Sequence, residues 1–199
     1  MKSTRRYTMT ARAAAVAETR TRLMRATFEL SHDHLLRDIT LEAVAGRAGV
    51  SVQTLLRQFG SRDGLLEATV ELARAEVREE RQTPVGDVEA AVRVVVDHYE
   101  VRGDLVLLLL AQESTDATVR SITDSGREVH RTWVREVFAP YLDADDDTRL
   151  DLLVVATDLF TWKLLRRDRG LARAATEARM RTLVAAVLAG PSSKEAEDG

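Results

Sequence analysis

The stretch AGVSVQTLLRQFGSRDGLL, residues 48–66, carries three side chains whose chemistry suits nucleic acid: Gln53, Arg57 and Arg62. A glutamine amide sets a donor beside an acceptor and can pair bidentately with adenine. A guanidinium does the same with guanine or clamps a phosphate. On a helix over residues 52–59, Leu55 and Phe59 stack at i and i+4 and point inward. Gln53 and Arg57 then lie opposite them, Thr54 and Leu56 flank this exposed face, and Gln58 sits nearer the buried edge. Such a helix is roughly 12 Å long, matched to a major groove about 12 Å wide. The same packing also occurs as plain scaffold, which is the alternative to DNA reading.

A probe of this kind needs neighbours to present it. Thr40 predicts an N-cap, because its hydroxyl can accept a hydrogen bond from a first-turn N–H. The helix it opens places Leu41, Val44, Ala45 and Ala48 on one face. Gly49 then supplies a left-handed turn, where a Cβ would clash. Val50 plugs the corner and Ser51 caps the next helix. The whole is a helix-turn-helix. Thr40 at a helix N-terminus and Arg62 one turn beyond the probe suit backbone phosphates, which position a protein without specifying sequence.

The rest of the chain also reads as helix, and the fold class predicted is all-α. Prolines number three, and apolar residues recur at three- and four-residue spacing. Helices are expected over residues 11–31, 61–82, 88–101, 104–112, 117–141, 147–167 and 171–189. Gly103, Pro140 and Gly170 are read as breaks, Val16, Leu23, Ala26, Phe28 and Leu30 as the buried side of the first helix, and residues 105–113 as a buried central helix. This predicts a DNA-binding domain over residues 10–60, a second helical domain over 61–190, and disordered tails at 1–9 and 191–199.

Composition narrows the function classes. The net charge of −3 conceals 11 basic against 5 acidic groups in residues 1–62, and 18 against 27 in residues 63–199. A basic end on an acidic body points that end at a polyanion. With no cysteine, disulfides and thiolate metal sites are excluded. No apolar run approaches a membrane span and no signal peptide opens the chain, so a cytoplasmic protein is expected. His32 and His34 lack a third ligand, and neither a metal nor a cofactor is expected. His98, Glu113, His130 and Asp158 are acid–base types, but no nucleophile elbow, phosphate loop or zinc-protease motif accompanies them, so no enzyme is expected.

The run ITLEAVAGRAGVSVQTLLRQFGSRDGLLEA, residues 39–68, resembles the tetracycline-repressor (TetR) family of bacterial transcriptional regulators. It follows the family's order of threonine cap, short helix, Ala-Gly-Val-Ser turn, recognition helix, Phe-Gly-Ser-basic ending and leucine pair. The resemblance implies an N-terminal three-helix DNA-binding domain and a larger helical domain for ligand binding and dimerisation. It places Val52, Gln53 and Leu56 at base-contact positions, and Thr40, Thr54, Gln58 and Arg62 at phosphate-contact positions. Leu56 departs from the pattern, standing where a tyrosine is usual, and Gln58 stands where an aromatic or histidine is usual.

The expected partners are therefore a double-stranded operator, a small-molecule effector and a second copy joined through the last two helices, with Leu159 and Val184 at that interface. His98, Gln112, Trp133 and Trp162 are polar-tipped or aromatic side chains on four helices otherwise filled with Leu, Val and Ala. They are the candidate lining of an effector cavity. The expected function is a ligand-responsive repressor, homodimeric on a palindromic operator. The alternative is a helical small-molecule-binding or scaffold protein that has lost operator binding.

Overall fold

The computed structural model describes residues 3–143 and 147–190. Among them every regular element is helical, so the all-α expectation is borne out. The helices are α1 (Ser3–Leu30), α2 (Leu41–Ala48), α3 (Val52–Phe59), α4 (Arg62–Glu80), α5 (Val88–Leu110), α6 (Ala117–Val137), α7 (Asp147–Ala156), α8 (Leu159–Lys163) and α9 (Arg173–Ala189). Helix α8 runs directly into a wider π turn over Leu164–Asp168. None of these helices is long and apolar enough to cross a membrane.

The chain forms two compact units, Met1–Glu76 and Val77–Gly199. The division falls inside α4 instead of at the expected boundary after residue 60. Leu65, Leu66 and Thr69, in the first half of α4, are buried and belong to the N-terminal unit. There α1 packs on α2 and α3 through Leu23, Ala26, Leu30, Val44, Ala45 and Leu55, all buried. In the C-terminal unit α5 packs on α6, α8 and α9, and α7 on α6 and α9. That core is built from Val92, Val95, Tyr99, Val134, Phe138, Leu153, Trp162, Met180 and Val184.

Several boundaries differ from those expected. Helix α1 begins at Ser3, so residues 3–9 are helical and not part of a tail; the segment TMTARAAAV holds no glycine or proline to stop it. Met1, Lys2 and residues 191–199 lie outside the described residues. Val16 is 47 % exposed, because residues 12–18 all face solvent and only the second half of α1 meets α2 and α3. Residues 88–110 form one helix, uninterrupted at Gly103. A Cβ there would lie 2.7 Å from the Trp162 ring, so the glycine serves close packing. Only Leu105 and Gln112 are buried in the stretch expected to be wholly buried.

Conversely, the single helix expected over 147–167 is broken. Thr157 turns its hydroxyl back to the Leu153 carbonyl at 2.7 Å. Asp158 then accepts the Phe160 N–H at 2.7 Å and caps a new helix. The break lets α7 and α8 each turn an apolar face inward: Leu150, Leu153 and Ala156 on one, Leu159 and Trp162 on the other.

Candidate nucleic-acid interface

Helices α2 and α3 are each held by the expected N-cap. The Thr40 hydroxyl accepts the Ala43 N–H at 3.2 Å, and Ser51 accepts that of Thr54 at 3.2 Å. Such caps contribute about 1 kcal/mol each. Between them Gly49 takes φ +68°, and the Val50 N–H closes back on the Ala45 carbonyl at 3.0 Å. The angle between α2 and α3 is therefore set by local bonds that need no ligand.

On α3 the inward face is Leu55, fully buried, with Phe59 half-buried beside it. Gln53 and Arg57 are exposed, one turn apart, and Leu56 beside Arg57 is 39 % exposed. Val52, Thr54 and Gln58 are half-buried at the edges of this face, while Ser51 and Thr40 are exposed at the two helix N-termini. The Thr54 hydroxyl lies 3.0 Å from that of Ser51, so the two share a hydrogen bond. Gln53, Leu56 and Arg57 thus share the exposed side of α3, with a donor–acceptor amide and a guanidinium outermost.

Arg62 has a different setting from the one expected. Its Nε donates to the Ile39 carbonyl at 3.1 Å and its Nη2 to that of Leu36. It braces the turn Leu36–Asp38 that leads into α2, and only part of its donor set remains for a phosphate. Arg20 lies outside the sequence pattern that marks the helix-turn-helix. Its Nη1 donates to the Gln58 carbonyl at 2.9 Å, and its guanidinium carbon lies 4.3 Å from the Phe59 ring centroid. One side chain of α1 thereby holds the C-terminal end of α3, satisfying a terminal carbonyl and stacking on an aromatic. Because the contact spans 38 positions of sequence, no local pattern announces it.

The four side chains expected to line an effector cavity each have a defined setting. Trp162 is fully buried, sealed by Gly103 and bonded through Nε1 to the Glu100 carboxylate at 3.0 Å. His98 is buried against Tyr99, with Nδ1 at 3.3 Å from Glu80. Gln112 turns back on its own helix, donating to the Leu108 carbonyl at 2.8 Å. Trp133 borders a recess of about 920 Å³, between the chain from Val77 to Val85 and the face of α6 carrying Val129, Thr132 and Val137. Each polar tip is answered by a nearby carbonyl or carboxylate, as buried polar groups require.

Residues 23–69 match the family described as bacterial regulatory proteins, tetR family. The segment begins inside α1 and runs through the Gly49 turn and α3 into α4. None of the curated proteins matches the chain. Among solved structures, a transcriptional regulator from Rhodococcus sp. Rha1 is similar at a TM-score of 0.65 with 17 % identity, over 85 % of this chain and 95 % of that one. A tetR-family transcriptional regulator from Streptomyces coelicolor is similar at 0.65 with 20 % identity, over 86 % and 80 %. At such identities the likeness speaks for the fold, across both units. The matched segment contains the capped α2, the left-handed glycine turn and the exposed polar face of α3, and it is through these residues that the chain is similar to the tetR family of bacterial regulatory proteins.

Proposed function

We propose that the chain is a homodimeric repressor that binds a palindromic operator and releases it when a small molecule occupies the C-terminal unit. The observation that carries this reading is the outward face of α3, where Gln53 and Arg57 project one turn apart from a helix fixed at both ends. Two such helices in a symmetric pair would meet half-sites about 34–36 Å apart, one turn of DNA or a multiple. Helix α4 runs out of the N-terminal unit into the C-terminal one and is the element through which occupancy would be felt. A ligand favouring one state over another shifts DNA affinity by its own differential affinity, and the effect is reciprocal.

Selection from random-sequence DNA tests the proposal. Recovery of a palindrome, bound with a steep dependence on salt, supports it. Gln53→Ala is expected to relax preference at one position of each half-site, by about 1–3 kcal/mol against the wrong base. A second reading, a helical ligand-binding protein without an operator, draws on Leu56. This apolar residue is 39 % exposed on the face that would meet bases, where it can touch a thymine methyl group but offers no hydroxyl. No enrichment of any sequence and no binding at low salt would favour that second reading.

A further inference from the structure

Arg81, just past the end of α4, is only 6 % exposed, which is an unusual place for a cation. Its guanidinium carbon lies 5.4 Å from the Tyr99 ring centroid and 5.6 Å from that of Trp133. One Nη lies 3.1 Å from His130 Nδ1. Because arginine only donates, that nitrogen is the acceptor, so the imidazole is neutral with its proton on Nε2. Nε2 in turn lies 3.2 Å from the Thr157 hydroxyl. Burial first, then the Arg81 charge, pushes His130 down to about 3, and the same two causes push His98 down to about 3. The aromatics and imidazoles around Arg81 therefore carry no negative charge to balance it.

No carboxylate among the described residues pairs with Arg81. Glu80, its neighbour in sequence, is bound to Arg102 at 3.0 Å and to His98 at 3.3 Å. The Arg81 Nε has no hydrogen-bond partner. A buried cation without an anion is costly, and stacking on aromatic rings offsets only part of that cost. Such an arrangement is relieved when an anion arrives, and Arg81 borders the recess described above.

The recess has the composition of a small-molecule site. Val77, Pro84, Val85, Val129, Val137 and Trp133 supply apolar wall, and the charged groups besides Arg81 are Arg78, Glu128 and Glu136. Those three are exposed, so their fields are screened by water, while the buried Arg81 charge acts through a lower dielectric. The sign that decides the ligand is accordingly positive.

We propose that this recess binds a small apolar acid, its carboxylate paired with Arg81 and its hydrocarbon or aromatic body against Trp133 and the surrounding valines. A guanidinium matches a carboxylate in shape as well as charge, which a lysine would not. The proposal rests on the ligand-responsive part of the function above and gives it a chemical class. The recess walls include the end of α4 itself, Val77 and Arg78, so occupancy acts directly on that helix.

Calorimetric titration of the full chain with octanoate, octanamide and octylamine tests this, because the three share a tail and differ only in headgroup. Octanoate should bind at least tenfold more tightly than either of the others. Arg81→Met should remove that preference, and Arg81→Lys should restore only part of it. Thr132→Trp, at an exposed position on the recess wall, should block octanoate while leaving the fold intact, and so keeps the test decisive if Arg81→Met does not fold. Tighter binding of octylamine, no octanoate binding at millimolar concentration, or undiminished binding in Thr132→Trp would each overturn the proposal. Failure here with operator binding intact leaves the repressor standing. Octanoate binding without effect on operator affinity would instead keep the site and remove its regulatory role.

Discussion

Arg20 and Arg62 differ from Arg57 in what their guanidinium groups already hold. Arg57 is exposed on α3, whereas Arg62 binds the carbonyls of Ile39 and Leu36 and Arg20 binds that of Gln58. A cation that faces DNA displaces counterions and sets the salt slope; one that holds the protein together sets stability. Arg57→Ala should flatten the slope of log affinity against log salt by about one unit with little change in stability. Arg20→Ala should cost about 1–2 kcal/mol of N-terminal-unit stability, for a charge-assisted hydrogen bond and a cation–π contact, and should leave the slope unchanged. Arg62→Ala should resemble Arg20→Ala in stability and fall between the two in slope. Urea unfolding paired with DNA titration at several salt concentrations reads both quantities. A slope change in Arg20→Ala equal to that in Arg57→Ala would make Arg20 a phosphate contact and not a clamp. The caps at Thr40 and Ser51 were legible in sequence because donor and acceptor are three residues apart. The clamps were not, because nothing local marks them.

At the scale of elements, the same amino acid has opposite meanings in two helices. Gly103 in α5 has the residue type of a helix stop, yet the helix passes through it, and Trp162 of α8 lies where a side chain would be. At Gly126 in α6 no atom beyond its chain neighbours and the nearby helix backbone lies within 4 Å of the position a Cβ would take. Both are mid-helix, where alanine is favoured over glycine by about 0.5–1 kcal/mol. Gly126→Ala should therefore raise stability by that amount. Gly103→Ala gains the same propensity term but forces a methyl group into a fully buried indole, an overpacking worth about 1–3 kcal/mol, so a net loss on the order of 1 kcal/mol is expected. Thermal unfolding of the two variants provides the comparison, and stabilisation by both would mean that Trp162 has room to move. Propensity and period predicted helix across most of the C-terminal unit correctly. They erred where a tertiary contact decided the outcome, at Gly103, and where side chains bonded back to the backbone, at Thr157 and Asp158.

For the molecule as a whole, the apolar residues left outside decide whether one chain is complete. Leu152 and Val155 on α7, Phe160 on α8, Leu164 beyond it and Leu183 on α9 are between 44 and 61 % exposed. Helix α9 packs against both α7 and α8, so these positions belong to neighbouring elements of one unit. The periodicity of the sequence pointed at residues that the chain buries in its own core. Leu159 and Val184, expected at a dimer interface, are 5 % and 0 % exposed within a single chain. Their immediate neighbours, Phe160 and Leu183, face outward, since one step along a helix turns a side chain by roughly 100°. A pattern that is apolar around most of a helix cannot say which arc meets its own core and which meets a partner. A stable interface needs about 800 Å² from each partner, and scattered exposed leucines are normal, so mutation must decide. Val155→Glu combined with Phe160→Glu would place unpaired charge in a closed apolar interface, costing several kcal/mol there, while both side chains remain solvated in the free chain. Sedimentation equilibrium should then report a folded monomer with unchanged helical circular dichroism and greatly weakened binding to a two-half-site operator. Val184→Glu should unfold the C-terminal unit, because that charge has no solvent in either state. An intact dimer in the double variant would place the interface elsewhere, and a dissociated but folded Val184→Glu would mean that the core is less closed than the fold implies.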